Sequence, residues 1–66
     1  MTVNGEKFDL SNLAEASLPT LIEHFQLSPE RVAVELNGDI IPRQAYAQTR
    51  LSTSDIVEII HYVGGG

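Results

Sequence analysis

The chain has 66 residues, a length that suits one small domain near the lower limit for independent folding. Four basic side chains stand against nine acidic ones, giving a net charge of −5. This balance excludes the basic surface with which nucleic-acid-binding proteins neutralise phosphates, and it favours a basic protein partner. The absence of cysteine excludes a disulfide, a thiolate metal ligand and a thiol nucleophile within the chain.

The chain shows no targeting or membrane signal. Residues 1–6 contain no charged leader followed by an apolar run, so we expect no signal peptide. Nowhere do about 18 consecutive apolar residues occur, so no membrane-spanning helix is predicted. We therefore expect a soluble cytoplasmic protein that is a monomer when free.

The first predicted element is a short β-hairpin around Asn4-Gly5. Apolar and polar residues alternate over residues 1–3 and again over residues 8–10. Asn-Gly is a strong hairpin signal because both residues tolerate the positive φ angles of a type I′ turn. The inward-facing residues of this hairpin are expected to be Val3, Phe8 and Leu10.

A helix is predicted from Leu18 to Gln26, because apolar residues recur there at the spacing i, i+3, i+4 and i+7. Ser17 or Leu18 would cap it, and Pro19 suits the first turn, where a missing N–H costs little. Pro29 prevents any continuation. The core stripe consists of Leu18, Leu21, Ile22 and Phe25, and the solvent face of Glu23, His24 and Gln26.

The second half of the chain predicts three further strands. Residues 31–41 form a second hairpin around Asn37-Gly38, with Val32, Val34 and Leu36 on one face and Ala33 and Glu35 on the other. Pro42 closes this hairpin because proline cannot continue a central ladder. Residues 44–48 suit one helical turn, and residues 51–55 form a loop that leads into the last strand, Ile56 to Val63.

This order of elements indicates an α+β fold of the β-grasp (ubiquitin-like) type. A mixed sheet of four to five strands would pack on one helix, with the first and last strands parallel at its centre. The domain is expected to cover residues 1–63, followed by a flexible glycine tail at residues 64–66.

The last strand predicts a docking surface. Alternate residues point to opposite faces, so Val57 and Ile59 share one face and Glu58 the other. A charged residue is almost never buried unpaired, so the Glu58 face should be the solvent side. We expect Glu58, Ile60 and Tyr62 to form a partner-docking surface beside the tail.

The tail itself, Gly64-Gly65-Gly66, suggests that the carboxylate of Gly66 is the reactive group. Three glycines add nothing to a core, and fully extended they carry the carboxylate roughly 10 Å from the strand. Gly64 and Gly65 would thread into the partner's active site. The alternative is an inert frayed terminus or an expression artefact.

Other candidate chemistry is weak. The two histidines, His24 and His61, lack the companions of a zinc site. The hydroxyls of residues 52–54 lack a positioned base. We therefore predict that the chain is not an enzyme, binds no metal and no cofactor, and is acted on by a partner's catalytic groups.

Residues 32–66 resemble the second half of the ThiS family of sulfur carriers in thiamine biosynthesis. The matching segments are the LNGDIIPR hairpin, the DIVEII strand and the terminal Gly-Gly, and the total length also agrees. The LPTLIEHFQL helix matches less closely. Gly65 and Gly66 correspond to the family's diglycine motif, and Gly64 is an additional tail residue.

The resemblance implies a sequence of partners. An E1-like adenylyltransferase of the ThiF type would consume ATP to adenylate the Gly66 carboxylate. Sulfur relayed from a cysteine desulfurase would convert it to a thiocarboxylate, and thiazole synthase of the ThiG type would accept the sulfur. The alternatives are the small subunit of molybdopterin synthase, a carrier for cysteine synthesis or tRNA thiolation, a protein-conjugating modifier, or a non-catalytic β-grasp interaction module.

Overall fold

Both Asn-Gly pairs form tight hairpin turns in the computed structural model, which describes residues 1–62. Asn4 and Asn37 each have φ 52°, and the glycines that follow them have φ 83° and 89°. Successive positive φ angles match the right-handed twist of the flanking strands, so each turn reverses the chain within two residues. The two predicted hairpin positions are confirmed.

The strands of residues 1–62 form one mixed sheet. Their bounds are β1 Thr2–Val3, β2 Glu6–Lys7, β3 Val32–Leu36, β4 Asp39–Ile41 and β5 Ile56–His61. The order across the sheet is β2-β1-β5-β3-β4, and only the β1–β5 pair is parallel. The predicted β-grasp fold, with the first and last strands side by side at the centre, is confirmed.

The second strand is shorter than predicted. A strand over residues 8–10 was expected, but β2 ends at Lys7 and a 3₁₀ turn spans Leu10–Asn12. The Asp9 carboxylate accepts a hydrogen bond from the Ser11 N–H at 3.0 Å, and such local bonds compete with a sheet ladder. Phe8 and Leu10 still pack, partly buried, against the core.

Helix α1 spans Leu18–His24 and begins as predicted. The Ser17 hydroxyl accepts the Thr20 N–H at 3.4 Å, and Pro19 lies in the first turn. Leu18, Leu21 and Ile22 are fully buried. These residues face the sheet and form the centre of the core.

The end of α1 differs from the prediction. Gln26 adopts φ 60°, the Gln26 N–H bonds to the Glu23 carbonyl, and the Leu27 N–H bonds to the Ile22 carbonyl. This pair of bonds is a Schellman motif, which ends the helix before Pro29 is reached. Phe25 was predicted to be core, but it lies at the C-cap and is 41% exposed. The prediction was wrong because the helical spacing no longer applies once the chain leaves the helix.

The core lies between α1 and the inner face of the sheet. A 3₁₀ segment, Arg43–Gln48, covers one side, and its Tyr46 hydroxyl donates to the Val32 carbonyl at 3.3 Å. The buried apolar side chains are Val3, Leu13, Leu18, Leu21, Ile22, Val32, Val34, Tyr46, Leu51, Val57 and Ile59. Within residues 1–62, every helix is too short or too polar to cross a bilayer.

Gly38 offers a test of turn strain without steric interference. Apart from Gly38 and its two chain neighbours, no heavy atom of the described residues lies within 4 Å of the position that a Cβ would occupy. Gly38→Ala should therefore lower the free energy of unfolding by about 1–2 kcal/mol, solely through the left-handed backbone conformation. Urea unfolding measures the change.

A matched control places D-alanine at position 38 by chemical synthesis. It adds the same methyl group but prefers positive φ, so the stability should stay level or rise. A loss equal to that of the L-alanine variant would show that backbone strain is not the cause.

Candidate functional site at the end of strand β5

Strand β5 occupies the centre of the sheet and has partners along both edges. On one edge Ile56 and Val57 pair with β1 in parallel register. On the other edge all five β3 residues pair with β5, from Leu36 opposite Val57 to Val32 opposite His61. The Tyr62 N–H extends this edge by donating to the Arg31 carbonyl at 2.8 Å. The strand that leads to the tail is therefore held by β3 along most of its length and by β1 at its start.

The predicted faces of β5 are confirmed. Val57 and Ile59 are buried against the core, whereas Ile56, Glu58 and Ile60 are exposed on the outer face. Tyr62, just beyond the strand, is also exposed. We call Glu58, Ile60 and Tyr62 the tail-proximal surface; its role in docking remains a prediction.

The outer face also carries apolar side chains away from the tail. Ile56 begins β5, and Ile40 lies on the edge strand β4. Ile40 was not assigned to this face from the sequence, although its alternation with Ile41 could have indicated it. Ile40 is opposite Glu35, which in turn is opposite Glu58.

Acidic groups meet at the middle of this face. Glu35 and Glu58 are directly opposed in the antiparallel β3–β5 pair. Like charges in this position repel each other, and a cation from a partner would relieve that repulsion. With exposed Ile60 beside them, opposite Ala33, the outer face combines negative charge with apolar area.

The first residue of each hairpin turn also bonds to β5. The Asn37 side-chain oxygen accepts the Ile56 N–H at 2.8 Å, and its amide donates to Asp55 Oδ1 at 3.1 Å. At the other turn, the Asn4 side-chain oxygen accepts the Ile59 N–H at 2.7 Å, and its amide donates to the Ile59 carbonyl at 3.2 Å. Sequence reasoning treated both residues only as turn formers and missed these contacts.

Asp55 is held as a carboxylate at the start of β5. Partial burial by itself raises the pKa of Asp55, but hydrogen bonds from the Asn37 amide and from Ser52 outweigh it and hold the pKa below its usual value. The Ser52 N–H donates to Asp55 Oδ2 at 2.8 Å. The loop over residues 51–55 is thereby tied to the β3–β4 turn.

A shallow groove lies on the opposite side of the sheet from Glu58. It encloses about 230 Å³. Its lining residues are Val3, Asn4, Phe25, Leu27, Ile59 and His61.

The His24 ring packs edge-on against Phe8 and Phe25, with centroids 5.1 Å apart in each case. No three histidine, aspartate or glutamate side chains of residues 1–62 come together as a metal site.

The remaining predicted site residues, Gly64, Gly65 and Gly66, lie outside the described residues, as does the predicted domain boundary at residue 63. What the structure describes is therefore the strand that leads to them and the surface beside it.

Comparison with known proteins decides the family. The ThiS family model matches residues 1–66, the whole chain. The chain belongs to the ThiS family.

The relatives of this ThiS-family chain include a sulfur carrier, a thiazole synthase and a protein described as uncharacterized. It is 38% identical over 64 residues to protein ycf40 of Porphyra purpurea, described as uncharacterized, covering 97% of this chain and 87% of that protein. It is 38% identical over 50 residues to the sulfur carrier protein ThiS of Bacillus subtilis, covering 76% of each chain. It is 33% identical to the thiazole synthase of Paramagnetospirillum magneticum, where the whole chain spans 20% of that protein.

The fold matches a solved member of the family. The crystal structure of thiamine biosynthesis protein ThiS from Geobacter metallireducens aligns with a TM-score of 0.78 and 32% identity. The alignment covers 98% of this chain and 96% of that one. The resemblance noted from residues 32–66 thus extends through the first hairpin and the helix.

The hydrogen bonds at Asp55 predict a pH dependence of stability. Because the folded-state pKa lies below the unfolded value, the stabilisation is complete above about pH 5 and is lost as the pH falls through the folded-state pKa. The wild-type protein should therefore be more stable than Asp55→Asn near neutral pH, and this difference should shrink in acid. Urea unfolding from about pH 6 down to about pH 2 measures it. A difference that stays constant with pH would contradict the assignment.

Proposed function

We propose that this ThiS-family chain is a sulfur carrier whose Gly66 carboxylate is adenylated and converted to a thiocarboxylate for thiazole formation in thiamine biosynthesis. The observation that carries the proposal is the full-length ThiS match of a chain whose last residues are glycines. That match favours the thiamine pathway over the molybdopterin alternative. The chain supplies the reacting carboxylate, and partner enzymes supply the catalytic groups.

The first step activates a poor electrophile. A terminal carboxyl group, with a pKa of about 3.3–3.7, is a carboxylate at neutral pH. One of its oxygens would attack the α-phosphorus of ATP, forming a P–O bond as the bond to the β-phosphate breaks and pyrophosphate leaves. The resulting acyl adenylate has AMP as a leaving group, which divides a difficult substitution into easier steps.

The second step installs sulfur. The terminal sulfur of a persulfide, relayed from a cysteine desulfurase, would attack the acyl carbon and displace AMP. A second thiol would then cleave the S–S bond as a two-electron reductant, leaving the thiocarboxylate on Gly66 and a disulfide as the oxidised product. Because this chain contains no cysteine, the bound sulfur cannot pass to a thiol of the same molecule.

Affinity for the partners must come from the folded domain. Ordering each tail glycine costs roughly 1–2 kcal/mol of backbone entropy, and glycine has no side chain with which to offset that cost. The tail-proximal surface lies at the end of the strand from which the tail continues. Exposed Ile60 and Tyr62 can bury apolar area on a partner while Glu58 contacts a basic group.

The comparisons support thiazole synthase as the acceptor. In the P. magneticum thiazole synthase, a segment similar to this whole chain is part of the same polypeptide. The thiazole synthase of Magnetococcus marinus also contains such a segment, 34% identical over 64 residues. Covalent linkage raises the effective concentration of a carrier at its acceptor, so linkage suits a pair that must meet in every catalytic cycle.

Deleting Gly66 should abolish thiocarboxylate formation without unfolding the protein, because the buried core lies within residues 1–62. The chain would be incubated with ATP, a ThiF-type adenylyltransferase, a cysteine desulfurase and a thiol reductant. Intact-mass spectrometry then measures the increase in protein mass that accompanies replacement of one carboxylate oxygen by sulfur.

Wild-type protein without ATP is the control, and urea unfolding confirms that the deletion variant is folded. The truncated chain ends in the carboxylate of Gly65, so an O-to-S mass gain on it would show that the partners do not require Gly66 and would contradict the prediction. A wild-type chain that supports no ATP–pyrophosphate exchange would favour the inert interaction module instead.

Docking can be tested with two isoleucines of the same strand. Ile60 and Ile56 are 55% and 56% exposed on the outer face, but Ile56 lies four residues farther from the tail, roughly 13 Å along β5. Ile60→Ser should weaken binding to the ThiF-type enzyme about tenfold, whereas Ile56→Ser should change it less than about twofold. Isothermal titration calorimetry measures both affinities. Equal losses would show that the partner does not distinguish the tail-proximal end.

A further inference from the structure

The parallel pairing of β1 with β5 ends at the Asn4-Gly5 turn. The Asn4 N–H donates to the Val57 carbonyl at 2.9 Å, which is the last backbone bond from this segment to β5. In a regular parallel ladder, the next bond would run from the Ile59 N–H to the backbone carbonyl of residue 4. The chain turns away at this point, because Asn4 and Gly5 both have positive φ.

The Asn4 side chain replaces the missing length of strand. Its oxygen accepts the Ile59 N–H at 2.7 Å, and its amide nitrogen donates to the Ile59 carbonyl at 3.2 Å. One side-chain amide thereby satisfies both backbone groups of Ile59, much as a further residue of β1 would. Both bonds are partly buried and join residues 55 positions apart.

Beyond Ile59, the described backbone bonds of the strand come from the β3 side alone. His61 is paired with Val32, and the Tyr62 N–H donates to the Arg31 carbonyl. A strand held along one edge can rotate about that edge, whereas a strand held along both cannot. The Asn4 amide therefore sets the last point at which the strand is restrained on both sides.

We propose that Asn4 is a positioning residue for the reaction at Gly66, an inference that rests on the proposed function. By fixing Ile59 on its second edge, the Asn4 amide sets the direction in which the chain leaves the sheet toward the partner's active site. Misplacement of a reacting group by about 1 Å can lower the rate a hundredfold. A small rotation of the strand beyond Ile59 is therefore expected to lower the rate of the reaction at Gly66. Asn4 itself contacts neither ATP nor sulfur in this scheme.

The chain contains its own matched control. Asn37 has the same φ as Asn4, stands before a glycine in an equivalent turn, and likewise bonds through its side chain to β5. It bonds to Asp55 and Ile56, at the end of β5 far from the tail. Glycine accepts positive φ freely, so Asn4→Gly and Asn37→Gly each keep the turn and remove only the side-chain bonds.

The experiment compares the two variants in steady-state adenylation by a ThiF-type enzyme, followed as ATP–pyrophosphate exchange. Urea unfolding first establishes that both variants are folded at the assay temperature. For Asn4→Gly we expect kcat to fall about tenfold to a hundredfold, a larger factor than any rise in KM for the carrier, because the docking side chains Glu58, Ile60 and Tyr62 are all retained while the strand beyond Ile59 is no longer fixed on its second edge. For Asn37→Gly both constants should stay within about twofold of wild type.

Amide hydrogen exchange supplies a readout that does not depend on any partner. In Asn4→Gly, the Ile59 N–H should lose protection while the Ile56 N–H keeps it; in Asn37→Gly the pattern should reverse. Unchanged protection of Ile59 in Asn4→Gly would overturn the proposal at its structural step.

The kinetic outcomes separate this inference from the proposed function. If wild-type protein supports exchange but the two variants lose kcat equally, or Asn4→Gly loses none, the positioning role is refuted and the carrier function stands. If Asn4→Gly raises KM alone, Asn4 acts in docking and the positioning role is likewise refuted. If wild-type protein supports no exchange, both proposals fail.

Discussion

The backbone pairing of β5 along both of its edges is the interaction on which this structure depends. Its parallel pairing with β1 brings the two ends of the described chain together, and β3 supports the other edge. The Asn4 and Asn37 side chains lengthen this support where the neighbouring strands turn away. Closing a loop of some 55 residues costs conformational entropy, so these long-range bonds form only together with the core.

Packing of the core then determines what β5 presents to solvent. Val57 and Ile59 are drawn against α1 and the rest of the core, and strand alternation places Glu58 and Ile60 on the outer face. The surface beside the tail is thus a consequence of the hydrophobic core. A single arrangement therefore both stabilises the domain and exposes apolar and acidic groups on the outer face of the sheet.

Local sequence signals predicted the elements whose geometry is decided by near neighbours. Both Asn-Gly turns, the Ser17 cap with Pro19 and the alternation of β5 all appear where the sequence indicated, and their order was enough to indicate a β-grasp fold. The predictions failed where two local preferences compete. The Asp9–Ser11 bond replaced a longer β2, and the left-handed Gln26 ended α1 before Phe25 could join the core.

The sequence by itself determined the turns, the helix start and the strand faces, and its resemblance to the ThiS family led to the proposal that the terminal glycines carry the function. Only the tertiary structure decided which groups meet across the sheet: Glu35 opposite Glu58, and the Asn4 amide on Ile59. Turn propensity and strand alternation are set by a few adjacent residues. A side-chain hydrogen bond between residues 55 positions apart depends on how two strands that are distant in the sequence are placed in the fold. That placement cannot be predicted from any local sequence pattern.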